Sequence, residues 1–91
     1  MSQQVESGTP INRTTTGSVS LVRGNLLGFY VNSTNAGTLI IGDGSNAAGT
    51  AISGAITPAI GWHRFPAYCR TGCYATIGGT ALDVTFSFAA G

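Results

Sequence analysis

From Leu82 to Phe88 the chain alternates without a break: Leu82, Val84, Phe86 and Phe88 fall on one side, and Asp83, Thr85 and Ser87 on the other. A period of two is the side-chain period of an extended strand with one buried face, so this segment fits a sheet and not a helix. From Thr14 onward β-branched and aromatic residues recur in short runs punctuated by glycine and asparagine. Turn signals about every eight to twelve residues are the spacing of an all-β sandwich or barrel.

The runs predict strands at 15–23, 26–32, 37–42, 50–57, 62–69, 73–78 and 81–89. Turns are expected at Arg23-Gly24-Asn25, Ser33-Thr34-Asn35-Ala36, Arg70-Thr71-Gly72 and Gly78-Gly79-Thr80, where glycine and asparagine supply turn conformations. The longest connection, Asp43 to Gly49, is glycine-rich enough to curl over one end of a sandwich. Residues 1–14 show neither period and read as an extended N-terminal arm; residues 15–91 read as one domain. The expectation is a small all-β domain, a β-sandwich of about seven to eight antiparallel strands.

Parity within each run sorts the side chains. Inward fall Val19, Leu21, Leu27, Phe29, Val31, Leu39, Ile41, Ile52, Ile56, Phe65, Cys69, Cys73 and Ile77, a thin core for a chain of 91 residues. Outward fall Leu26, Tyr30, Ile40, Trp62, Tyr68 and Tyr74. Six large apolar residues on outward positions exceed what a monomer usually leaves bare, so subunit or partner contacts are expected there. The alternative is that both faces are covered by the two layers of the sandwich. Candidate interface residues are therefore Val5, Ile11, Arg13, Leu26, Tyr30, Ile40, Trp62, Arg64, Tyr68 and Tyr74, with Val5, Ile11 and Arg13 supplied by the arm.

Charge narrows the partners. Four arginines, no lysine, two aspartates and one glutamate give a net charge of +1, too little for a basic footprint on nucleic acid or anionic lipid. No stretch approaches the roughly 18 apolar residues needed to span a bilayer, and Met-Ser-Gln-Gln-Val-Glu lacks the layout of a signal peptide. Neither nucleic acid nor membrane is an expected partner.

Chemistry is equally sparse. His63 is the single histidine, and His63 with Cys69 and Cys73 would leave zinc without a fourth protein ligand. A triad would have to draw its acid from Glu6, Asp43 or Asp83, and nothing in their spacing brings one to His63. No catalytic, cofactor or metal site is predicted, and the chain reads as a non-enzyme. Gly42-Asp43-Gly44-Ser45 lacks the residues that would complete a phosphate or calcium loop and reads as a turn. Asn12-Arg13-Thr14 and Asn32-Ser33-Thr34 match the N-glycosylation sequon, in a sequence with no other secretory feature. Cys69 and Cys73, flanking a three-residue loop, are expected as inward cross-strand neighbours, either two buried thiols or a disulfide. Trp62, Tyr68 and Tyr74 suit either stacking on sugar rings or anchoring a protein interface.

Four segments, read together, resemble a known group. These are Leu27-Gly28-Phe29-Tyr30-Val31-Asn32, Gly37-Thr38-Leu39-Ile40-Ile41-Gly42-Asp43, Gly61-Trp62-His63-Arg64-Phe65-Pro66 and Thr71-Gly72-Cys73-Tyr74-Ala75-Thr76-Ile77-Gly78-Gly79-Thr80. In order and spacing, over about residues 26–86, they resemble the small all-β virion proteins of tailed bacteriophages. Cys69 and Cys73 depart from that pattern, standing where ordinary apolar residues are expected. The resemblance implies a virion component of β-sandwich or jelly-roll-like fold and, within that class, a capsid decoration, or cement, protein: a homotrimer bound to the major capsid protein on the outer surface of the virion, made in the host cytoplasm. A receptor- or glycan-binding module of a head fibre or tail is the alternative it leaves.

Overall fold

The computed structural model describes residues 8–46, 49–79 and 81–90. They form eight strands and no helix: β1 Thr9–Arg13, β2 Gly17–Ser20, β3 Gly24–Asn35, β4 Thr38–Asp43, β5 Thr50–Ala51, β6 Gly61–Cys69, β7 Cys73–Gly78 and β8 Ala81–Ala90. Pairing is antiparallel and nested, β1 with β8, β2 with β7, β3 with β6 and β4 with β5. The chain is thus one ribbon doubled back at the β4–β5 loop. Two further ladders, β3 with β8 and β4 with β7, roll that ribbon into a larger sheet of order β1-β8-β3-β6 and a smaller one of order β2-β7-β4-β5. This is the strand order of a jelly roll, and the all-β sandwich expected from the sequence is the fold.

Rolling explains where the local reading departs. Of the expected turns, 70–72 lies where it was read, but β3 runs on from Gly24 to Asn35, so the breaks on either side of it fall at 21–23 and 36–37 and not at 23–25 and 33–36, and the last begins only after Gly78; each of these breaks joins one sheet to the other. Only β4 and β5 pair as neighbours in sequence, and β5 is two residues long instead of eight. The expected arm is shorter than 1–14, because Thr9–Arg13 is an edge strand in register with β8, Ile11 lying opposite Phe86. A partner more than seventy positions away in sequence leaves no mark in the local pattern of residues 9–13. Residues 1–7 lie outside the described residues, and Val5 with them.

The core lies between the sheets. Leu26, Phe29, Val31, Val84, Phe86 and Phe88 from the larger sheet meet Val19, Leu39, Ile41 and Ala75 from the smaller. Ile11, Ile56, Phe65 and Ile77 close its margins. Phe29 sits at the centre of the aromatic packing, its ring 6.0 Å from that of Phe86 and 6.5 Å, edge-on, from that of Phe65.

Three readings of parity fail. Ile52, expected inward, is 39% exposed, because β5 ends at Ala51 and does not carry the alternation on; the other two have equally local reasons. In β3 the ladder to β8 slips between Leu26 and Gly28, so Leu27 is an extra residue that reverses the alternation. Leu26 is consequently fully buried, and Leu27 only half-buried. Leu21, expected in the core, is 71% exposed. Ser20 ends β2 by folding its hydroxyl onto the next residues: Oγ accepts from Val22 N at 3.2 Å and donates to Val22 O at 2.8 Å. That side-chain turn competes with the ladder and throws Leu21 and Val22 outward.

Candidate functional site

Polar and aromatic side chains are gathered on the outer face of the larger sheet. Register places Asn12 of β1 opposite Thr85 of β8, Thr85 opposite Tyr30 of β3, and Tyr30 opposite Trp62 of β6. Four side chains therefore stand in one row, one from each strand.

At the polar end, Asn12 Nδ2 donates to Asp83 Oδ1 at 2.7 Å and to Thr85 Oγ1 at 3.1 Å. Asn32 Nδ2 reaches the same two atoms from the other flank, at 3.3 and 3.0 Å. Asn32 is placed there by a second slip in the β3–β8 ladder, between Val31 and Ser33. The two sequons of the sequence thus converge on one carboxylate, with both amide nitrogens engaged.

At the aromatic end Tyr30 is 46% and Trp62 52% exposed. The indole lies over Gly28, where a Cβ would come within 2.7 Å of Trp62 Cη2 and within 2.4 Å of the His63 carbonyl oxygen. Glycine is needed there for close approach, not for its dihedral range. Beyond Arg64, the bulge leaves a shallow groove of about 420 Å³ bounded by Leu27, Pro66, Tyr68 and Ala89.

The other candidates disperse. Tyr74 lies on the smaller sheet, opposite Gly42 and Ser18, so the trio Trp62, Tyr68 and Tyr74 does not form one stacking surface. Ile40 and Tyr74 are half-buried on that sheet's outer face. Ile11 packs against the core, and Leu26 is inside it. Arg13 folds over the β1–β2 corner, its guanidinium donating to the carbonyls of Thr15 and Thr16 at 3.4 and 3.2 Å. What the sequence reading missed is the tip between β2 and β3, where Leu21 and Val22 stand 71% and 57% exposed beside Arg23.

Titratable groups are separately employed. His63 Nε2 contacts the Ala59 carbonyl at 2.7 Å, and its ring leans on that of Phe29 at 5.3 Å. Asp43 accepts from the backbone N–H groups of Arg70 and Thr71 at 2.9 and 3.0 Å and from the Thr71 hydroxyl at 3.1 Å. Those backbone bonds hold its carboxyl below the ordinary carboxylate value of 3.8. Cys69 and Cys73 are buried, free and hydrogen-bonded to each other across the β6–β7 corner, one on each sheet. Burial pushes both thiols up from their ordinary value, Cys73 the further. No three His, Cys, Asp or Glu side chains come together among the described residues. No protein-family model, curated protein or solved structure matches the chain.

Proposed function

We propose that this protein is a non-enzymatic structural component of a bacteriophage virion, a capsid decoration protein that binds the shell formed by the major capsid protein and stabilises it. The observation that carries the reading is the tip at Leu21 and Val22, two adjacent apolar residues 71% and 57% exposed at one end of the sandwich. Strand β1 begins at that same end, since Thr9 pairs with Phe88 and Ala90 with Gly24. An apolar tip flanked by arginine has the composition of an interface centre. With a net charge of +1, retention must come from shape fit and from many copies on a symmetric surface, not from electrostatic steering. Jelly rolls occur in viral capsid domains among other settings, a fold-level analogy that adds to the resemblance in sequence. The half-buried Ile40 and Tyr74 on the smaller sheet are assigned to contacts between copies in a trimer.

The test is the position and copy number of the chain in purified particles. A fixed ratio to the major capsid protein over the whole outer shell is expected, together with a trimer by light scattering of the isolated protein. A ring confined to one vertex, or a lone monomer with no affinity for particles lacking it, would overturn the proposal.

A further inference from the structure

The outer face of the larger sheet has the chemistry of a ligand site, and it lies apart from the tip assigned above to the shell. Its polar end is polarised in one direction. A carboxylate only accepts hydrogen bonds, so Asn12 and Asn32 must both turn their nitrogens toward Asp83 Oδ1. Their amide oxygens then face away from the cluster. Thr85 Oγ1 accepts from both amides and keeps its own proton to donate. The cluster consequently offers Asn12 Oδ1, Asn32 Oδ1 and Asp83 Oδ2 as acceptors and one hydroxyl as a donor. Each group stands on a strand and not on a loop, so little ordering is required when a ligand arrives.

The other end of the row offers flat apolar surface. Tyr30 and Trp62 are cross-strand neighbours, both half exposed, and the indole is seated over Gly28. At about 4.8 Å between strands, Asn12 to Trp62 spans about 14 Å, the reach of a short oligosaccharide. The matching ligand must carry apolar C–H faces for the rings, many hydroxyl donors for the acceptor oxygens, and no net charge. A phosphate backbone fails, because it brings negative charge to Asp83 and no donors to the amide oxygens. An extended peptide fails as well, because its backbone seeks a bare sheet edge and not a face.

We propose that this face binds neutral oligosaccharides, with Tyr30 and Trp62 stacking on one sugar and Asn12, Asn32, Asp83 and Thr85 receiving the hydroxyls of the next. On a shell-bound molecule held by its tip, this face points along the exposed flank, where surface glycans of a host or its surroundings are met.

The experiment is a titration of the isotope-labelled full chain with neutral trisaccharides of glucose, mannose, galactose and N-acetylglucosamine, followed by amide and side-chain resonances and by tryptophan fluorescence. At least one is expected to shift the Asn12 and Asn32 side-chain amides together with the Trp62 indole, unaltered by added salt. Trp62→Ala and Asn32→Ala are each expected to weaken that binding tenfold or more, and Tyr74→Ala to leave it unchanged. Asn32→Ala keeps the test sharp should Trp62→Ala disturb folding. The proposal is overturned if no trisaccharide binds at millimolar concentration, if binding survives both variants, or if only charged saccharides bind and salt abolishes the effect.

Discussion

Leu26 and Phe29 lie three positions apart in β3 and both face the core, because Leu27 is an extra residue in the ladder to β8. One inserted residue exchanges the fates of two leucines that composition and propensity cannot distinguish. Truncation separates them. Leu26→Ala should cost about 2–5 kcal/mol, the range for a fully buried leucine, and Leu27→Ala no more than about 1 kcal/mol. Equal losses in urea denaturation would mean that the bulge sits elsewhere.

How far the fold can be read from the residues depends on how local each cause is. The alternation at Leu82 to Phe88 is local, and β8 forms as read, with Leu82, Val84, Phe86 and Phe88 all buried. The glycine-marked break at 70–72 is local too, and it separates β6 from β7 as read. Which sheet the next strand joins is decided by nested pairing across the whole chain, so the same break cannot announce whether it is a hairpin or a corner. The site follows the same rule. Tyr30 and Trp62 were visible as outward aromatics, but Asn12 and Asn32 needed the β1–β8 ladder and a slip in β3 to meet at Asp83.

Asp43 ties the end of β4 to the β6–β7 corner through two backbone N–H groups. Its carboxyl is held below 3.8 chiefly by the bond from Arg70, then by that from Thr71. A depressed folded value means the contribution is complete above the unfolded value and fades as pH falls through the folded one. Asp43→Asn should lower the melting temperature at neutral pH, and the difference from wild type should shrink as the pH is lowered and the native carboxyl takes up its proton. A variant as destabilising in acid as at neutral pH would show that its charge is not what holds the corner.

The two thiols titrate in the opposite direction. Burial raises both, first by desolvation, from an ordinary value of 9.0. Raised folded values leave the native state protonated where the unfolded chain ionises, so stability should be full below pH 9 and decline above it. Native protein should resist alkylation at pH 8 and become reactive only on unfolding. Replacing both cysteines with alanine should flatten the alkaline decline, measured by denaturation between pH 8 and 10.5.

The tip offers a separation of folding from assembly. Leu21 and Val22 are 71% and 57% exposed and touch little of the core, so Leu21→Ser with Val22→Ser should alter stability by less than about 1 kcal/mol. Occupancy on particles should nevertheless fall at least tenfold in a competition with wild-type chain, because the apolar centre of a contact carries most of its energy. Undiminished occupancy would remove the tip from the contact.

Truncation from the N-terminus should divide at the start of β1. A chain beginning at Gly8 keeps the ladder from Thr9 to Arg13, the packing of Ile11 and the bonds from Asn12 to Asp83 and Thr85. It should fold with near wild-type stability. A chain beginning at Thr14 loses all three and leaves the β8 edge, with Phe86 beneath it, open to water. Small domains have only about 5–15 kcal/mol to lose, and exposing a buried edge also invites pairing between molecules. The longer truncation should therefore unfold at markedly lower denaturant and aggregate on concentration, as read by circular dichroism and light scattering. If both truncations were equally stable, β1 would be the dispensable arm that its composition suggests.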